Sequence, residues 1–364
     1  MTVIEPLVPK FDNIEVNKVD LPYRNESYLR FSYSDPMLEG YEVTVIADSV
    51  PVGSEFKNGD EEGERLLTIS ARFPRCILSE VNTHRVFSRN SASSRARSVK
   101  ATIGDIMRKP YIPLFTKNKK GMSGEFLTAA ERELAVKAWL LGRDSAVVSE
   151  LRLLLGDLLT PSGTITEIAS NYASHIDRYY KEVYEAEIMP VEAISVHKQN
   201  ANRVIEPYMW HEAIVTSSYW ENFVELRTDL EAAQPEIVAL CRLIEKALEV
   251  SRPSQTWLHL PFIEDSEKPE SFDNFANIRD LLLLSATESA QVSYRDKSRA
   301  DKSTATTRLG ERLLKMRHLS PFEHVAFSSD AYHNNSEEIL PRGNVLRSNL
   351  DDNWVQLRPI LTAM

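Results

Sequence analysis

Between Arg72 and Lys100 the sequence places six arginines, Arg72, Arg75, Arg85, Arg89, Arg95 and Arg97, against a single acid, Glu80. A guanidinium is a planar fork of donors that matches phosphate oxygens in pairs. The chain as a whole nevertheless carries a formal net charge of −10. That balance opposes binding to a nucleic-acid polymer, whose affinity comes from neutralising many phosphates. A basic cluster inside an acidic protein suits a small anion instead, and its plain alternative is a solvated basic face.

Other chemistries find little support. His84 and His324 have no third ligand at a useful spacing, so no metal site is expected. Cys76 and Cys241 are the only cysteines, which gives neither a zinc motif nor a disulfide framework. Ser93 has no neighbouring histidine, and Gly-x-Ser-x-Gly is absent, so it does not read as a hydrolase nucleophile. No phosphate-cradling glycine loop of either common type is present among the 12 glycines.

The elements that must carry these residues follow from periodicity. Residues 1–40 lack a steady period and predict an irregular arm. Residues 41–49 and 65–73 alternate and predict strands. A helix is predicted from Arg75, with Pro74 at its start, where a missing N–H costs nothing. Residues 101–125 predict a loop. Long helices are predicted over 127–159, with a break at Gly142, then 165–188, 205–227 and 231–250, the last started or kinked by Pro235. A Pro-rich connection over 251–271 precedes helices at 272–286 and 304–316, a short strand at 325–328 and a polar tail. The expected class is helix-rich α+β, with a small mixed or antiparallel sheet packed against long helices.

At 364 residues the chain can form one large domain or two ordinary ones. With 42% hydrophobic and 26% charged residues it has the composition of a globular protein that buries a sizeable core. No run of 18 apolar residues occurs, and the first 20 residues lack the basic and apolar regions of a leader. No membrane partner is therefore expected. The cysteine usage predicts a reducing, cytoplasmic setting.

Five blocks carry a resemblance. Thr83-His84-Arg85-Val86-Phe87-Ser88-Arg89-Asn90-Ser91-Ala92-Ser93-Ser94-Arg95 resembles the Arg-His-Arg signature of the flavin-dependent thymidylate synthases. His84, Arg85, Ser88, Asn90, Ser93 and Arg95 fall in register. Thr83, Ser91 and Ala96 depart from the signature, and Glu80 replaces the glutamine that precedes it. Leu319-Ser320-Pro321-Phe322-Glu323-His324 is similar to the family's Ser-Pro-Phe-Glu-His block. Ala290-Gln291-Val292-Ser293-Tyr294 is similar to its Ala-Arg-x-Ser-Tyr block. Ala201-Asn202-Arg203-Val204-Ile205-Glu206-Pro207 resembles its Ala-Arg-x-x-Leu-Pro block with one extra residue. Asn222 to Arg227, followed by Ala232 to Ile237, resembles its paired Leu-Arg helices. The blocks cover about a third of the chain. The two that open the family's order come last here, so the resemblance implies a circularly permuted version of that fold.

The resemblance implies reductive methylation of dUMP to dTMP, with FAD, NADPH and methylenetetrahydrofolate as co-substrate. It implies a pyrimidine deoxynucleoside monophosphate and a folate as partners, and a homotetramer. Residues 1–364 would form one catalytic unit, with 104–196 a helical insertion and 197–250 and 272–330 the remaining family-like parts. Nucleotide contacts would come from Glu80, Ser93, Ser94, Arg95, Arg203 and Arg227, with Ser93, Arg95 and Arg227 closest to the chemistry. Flavin contacts would come from His84, Arg85, Ser88, Asn90, Asn222, Ser293 and His324. The departures keep two alternatives open: methylation or hydroxymethylation of another pyrimidine nucleotide such as dCMP, and an inactive nucleotide-binding relative. Each residue also has a plain structural reading, with Ser93 a helix cap, Glu80 and His84 a pair one turn apart, and His324 a core histidine.

Overall fold

The computed structural model describes residues 5–21, 26–54, 65–94, 96–120, 124–159, 163–185, 193–271, 274–292, 302–335 and 349–363. It is mixed helix and antiparallel sheet, an α+β fold. The chain packs into two compact units: a larger one from residues 11–73, 79–92 and 212–364, and a smaller one from 1–10, 74–78 and 93–211. Among the described residues no helix is long and apolar enough to cross a membrane.

The larger unit holds a sheet of strands β1 (Ile14–Asp20), β2 (Ser27–Tyr33), β3 (Glu42–Val50), β4 (Leu66–Pro74), β5 (Ser88–Ser91) and β6 (Trp210–Ser217), in the order β1-β2-β3-β4-β6-β5. The two-residue strand β7 (Ser254–Gln255) runs parallel to β3. Strands β3 and β4 are buried on nearly every residue, and their pairing shifts register between Val45 and Ala47. The expected irregular arm is a β-hairpin, with Ile14 opposite Tyr33 and Asp20 opposite Ser27. Its outer strand is polar and mostly exposed, as an edge strand has to be, and this hides the alternation.

The helix predicted over 205–227 is likewise corrected. Residues 210–217 form β6, where Trp210, Ile214, Val215 and Thr216 suit a buried strand. Within the 205–227 span, Glu206–Tyr208 is a single 3-10 turn and Glu221–Arg227 is α-helical. A second sheet joins β8 (Leu258–His259), β9 (Ala326–Ser328) and β10 (Trp354–Gln356) in antiparallel pairs. Against it pack the helix Phe275–Ala290 and the final helix Leu357–Ala363, closing a core around Phe322, Phe327 and Ile360. The helix Pro235–Val250 begins on its proline, as expected, and packs on β2 and β3.

The smaller unit is helical. Helix Ala129–Leu155 starts from a capping box, in which Thr128 and Glu131 satisfy each other's backbone donors. It runs through Gly142 without breaking, and the glycine leaves room for Tyr208, whose hydroxyl would lie 2.7 Å from an added Cβ. The predicted helix over 165–188 is interrupted at Asn171 into Ile165–Ser170 and Tyr172–Tyr179. The start of the predicted 101–125 loop instead lies in a helix, Val99–Arg108, capped by Ser98, whose Val99, Ile103 and Ile106 enter the core. Its β-branched residues and Gly104 lower helix propensity. Gly104 leaves room for Tyr172, whose hydroxyl would lie 2.9 Å from an added Cβ.

Glu150 lies in this core beside Val147, Leu151 and Leu154. Neither carboxyl oxygen has a hydrogen-bond partner among the described residues. Burial pushes the carboxyl up from 4.5 to about 8. The folded chain therefore holds a proton that the unfolded chain releases above 4.5, and stability is lost as pH rises toward 8. Chemical denaturation of the wild type should show a fall of roughly 2–5 kcal/mol between these limits. Glu150→Gln should flatten that component of the profile. An unchanged slope in the variant would assign the pH dependence elsewhere.

Candidate functional site

In the larger unit the site is built around residues 79–92. The helix that opens at Leu78 stops at Val81, because the Thr83 hydroxyl and backbone N–H both turn back to the Glu80 carbonyl, at 2.6 and 3.0 Å. Arg89 then clasps the turn from inside, donating to the carbonyls of Val81 and His84, each at 3.1 Å. This leaves His84 half-buried and Arg85 exposed.

His84 is held by aromatic rings. It stacks on Phe87, with centroids 5.7 Å apart, and meets the edge of Phe223 at 4.8 Å. Phe87 also touches Phe223 and Trp220, which closes a small cluster beneath the imidazole. Phe223 and Arg227 are four residues apart on helix Glu221–Arg227, so both reach the same neighbour. Arg227 Nε donates to His84 Nε2 at 3.2 Å, and its terminal nitrogen reaches Thr83 Oγ1 at 3.5 Å. An imidazole that accepts at Nε2 is neutral, with its proton on Nδ1. Burial first, then Arg227 and Arg89, hold the His84 pKa below the ordinary 6.5.

Glu80 is half-buried in the same unit. Burial raises its pKa, Arg227 opposes that rise and Glu236 adds to it. Its Oε2 has no hydrogen-bond partner among the described residues. The positive charge felt by Glu80 is thus Arg227. Asn222, on the helix that carries Arg227, is exposed. Ser88, Asn90 and His324 are internal. Ser88 Oγ accepts from Gln356 Nε2 at 2.9 Å and Asn349 Nδ2 at 3.1 Å. Asn90 Nδ2 donates to the Ser289 carbonyl at 3.4 Å. His324 Nδ1 lies 2.7 Å from Thr216 Oγ1, with the ring fully enclosed.

In the smaller unit, residues 93–97 dock on residues 202–206. Asn202 Nδ2 donates to the carbonyls of Ser94 at 2.7 Å and Arg97 at 3.5 Å. Ser94 Oγ donates to Glu206 Oε1 at 3.1 Å, and the same oxygen pairs with Arg75 at 2.9 Å. Arg75 also meets His211 Nδ1 at 3.1 Å. Burial, then Arg75, push the His211 pKa down to about 3, so this ring stays neutral. The Ser93 carbonyl accepts from Ala96 N at 3.0 Å in a turn, and the following helix is capped by Ser98 instead. Asn202 Oδ1 is buried without a hydrogen-bond partner among the described residues. Arg203 is exposed. Arg95 and Ser293 lie outside the described residues.

The arginine cluster therefore divides by what each cation already holds. Arg75 is paired with Glu206, Arg97 with Asp105, and Arg89 caps two carbonyls. Arg85 and Arg203 are exposed and lack an ion pair among the described residues. Sequence reasoning did not single out Asn202, Glu206, Phe223, Asn349 or Gln356. The first three sit inside the quoted blocks, whereas the last two lie in the polar tail, where no pattern marked them.

A flavin ring needs donors for its carbonyls and an acceptor for its imide N–H. Arg85 and Asn222 are exposed and His84 is half-buried, so each could offer a donor to such a ring. Ser88, Asn90 and His324 are buried, with Ser88 Oγ, Asn90 Nδ2 and His324 Nδ1 facing partners inside the unit.

No model of a known protein family matches the sequence. A search of curated proteins also finds no match. Among solved structures, the UMP/dUMP methylase PolB from Streptomyces cacaoi bound with 5-Br UMP is similar at 13% identity, covering 56% of this chain and 86% of that one, with a TM-score of 0.34. The same enzyme bound with 5-Br dUMP gives 14% identity, 56% and 88% coverage, and a TM-score of 0.36. Such values describe a distant, partial overlap.

The arginine–imidazole contact has a measurable consequence. Arg227→Met removes both a repelling charge and a donor that stabilises neutral His84, so the His84 pKa should rise. Titration of the ring signals by NMR reads this directly. A His84 pKa that stays put or falls in the variant would remove Arg227 from that role.

Proposed function

We propose that this chain methylates a pyrimidine deoxynucleoside monophosphate, converting dUMP to dTMP with methylenetetrahydrofolate as the one-carbon donor and FAD and NADPH as redox partners. The observation that carries the reading is convergence. In the larger unit, two of the blocks and the residue just before a third meet residues 83–91: Arg227 on His84, the Ser320–Glu323 turn against β5, and the carbonyl of Ser289, which precedes Ala290, on Asn90. In the smaller unit, Asn202 of a fourth block holds the Ser94–Arg97 loop. A permuted relative of the family has to bring its blocks together in this way.

In this reading Arg95 and Arg203 of the smaller unit, and Arg227 of the larger, are the cations offered to a nucleotide through charge-assisted hydrogen bonds. Ser93 and Ser94 present the loop that meets the nucleotide, and Asn202 and Glu206 keep that loop in place. His84, neutral and seated on Phe87 and Phe223, orients Arg227. Arg85 and Asn222 face the flavin, with Ser293 from the neighbouring block. When bound, flavin supplies hydride and relays the one-carbon unit. Glu80, whose pKa burial raises, stands where the family has a glutamine. As a carboxylate with a spare oxygen it would instead accept from a cytosine amino group, which favours dCMP as the second reading. The working unit is the whole chain, 1–364, as a cytoplasmic homotetramer.

Calorimetric titration with dUMP and dCMP tests the nucleotide assignment. The wild type should bind dUMP more tightly than dCMP. Arg95→Ala should weaken dUMP binding by about 1.5–3 kcal/mol, the range for a lost hydrogen bond to a charged group. Tighter binding of dCMP would move the substrate to cytosine. Equal affinity in wild type and variant would take Arg95 out of the site.

A further inference from the structure

Five polar side chains form an unbroken hydrogen-bonded row through the interior of the larger unit, and all five are buried. Ser49 Oγ lies 2.8 Å from His259 Nδ1. His259 Nε2 lies 2.8 Å from Thr68 Oγ1, which lies 2.6 Å from Thr216 Oγ1. Thr216 Oγ1 lies 2.7 Å from His324 Nδ1. The members come from β3, β8, β4, β6 and the end of the Ser320–Glu323 turn. Burial, then Lys268 and His324, hold His259 well below the ordinary imidazole range, so its ring is neutral.

Proton counting constrains such a row. A hydroxyl owns one proton and a neutral imidazole owns one. Thr68 and Thr216 each face two partners with one proton and have no further side-chain partner among the described residues, so a row that leaves no buried O–H unsatisfied has each donate to one side and accept from the other. The polarity must then run one way along the whole row. If it runs toward His324, Ser49 donates to His259 Nδ1, His259 Nε2–H donates to Thr68, and His324 accepts at Nδ1 and carries its proton on Nε2. If it runs the other way, His324 Nδ1–H donates to Thr216, His259 accepts at Nε2, and His259 Nδ1–H donates to Ser49.

We propose that Ser49, His259, Thr68, Thr216 and His324 form a single polarised proton chain that holds both histidines in the same tautomer. Either both rings carry Nε2–H or both carry Nδ1–H. Thr216, Thr68 and His259 are thus positioning residues for the His324 ring. The chain stands apart from the nucleotide reading, since it rests on these contacts alone.

Nitrogen-15 NMR on the full-length labelled protein tests this. Ring-nitrogen shifts separate protonated from unprotonated nitrogens and so report the tautomer of each histidine, assigned through correlations to its own Cβ. The wild type should show the same tautomer at His259 and His324. Thr68→Val removes the central hydroxyl and should shift the ring nitrogens of His324, which Thr68 does not touch, while Thr68→Ser should restore them. Opposite tautomers in the wild type would overturn the proposal without recourse to any variant. A folded Thr68→Val protein with unaltered His324 shifts would do so as well.

Discussion

The larger unit is organised by a demand that its own sheet creates. Thr68 and Thr216 sit on neighbouring strands β4 and β6, and both are fully buried. A buried hydroxyl without a partner costs on the order of 1–3 kcal/mol, so each must be met. They meet each other, and their remaining capacity calls in His259 from the second sheet and His324 from the turn before β9. Chain segments more than 100 residues apart are thereby held in one register. Once β6 is fixed, β5 is fixed with it, with Ser88 opposite Thr216 and Ser91 opposite Ala213. The segment that carries His84 and Arg89 enters the sheet through β5.

This explains why the signature residues separate into two kinds. Ser88, Asn90 and His324 tie strands and turns together and face inward. Arg85, Asn222 and Arg203 face outward, and His84 with Arg227 lies between. A motif read from sequence mixes the two kinds, because framework and contact residues are equally particular about type. Burial separates them. It also shows that half of the six arginines, Arg75, Arg89 and Arg97, are already committed to partners in the fold.

Strong periodicity made much of the fold legible. Strands β3 and β4 and the helices at 129–155, 235–250 and 275–290 follow their patterns closely. The misreadings share a physical cause, which is that neighbours decided the local form. Strand β6 looked helical because its buried run is apolar on both faces, and periodicity cannot assign such a run. The hairpin β1–β2 was hidden by the polar face of an edge strand. Helix Val99–Arg108 forms from weak helix formers because three side chains enter a core supplied by residues far along the chain. In the site, the pairing of His84 with Arg227 was implicit in the blocks, although 143 residues separate them. Gln356 and Asn349, which hold Ser88, carried no sequence signal at all.

The central claim, that this fold serves methylation of a pyrimidine nucleotide, is tested most directly by turnover. The purified full-length protein is incubated without oxygen with dUMP, methylenetetrahydrofolate, NADPH and FAD, and the nucleotides are analysed by mass spectrometry. The account predicts dTMP, formed only when the folate and the reductant are both present. Recovery of unchanged dUMP, with bound nucleotide verified in the same sample, would contradict it.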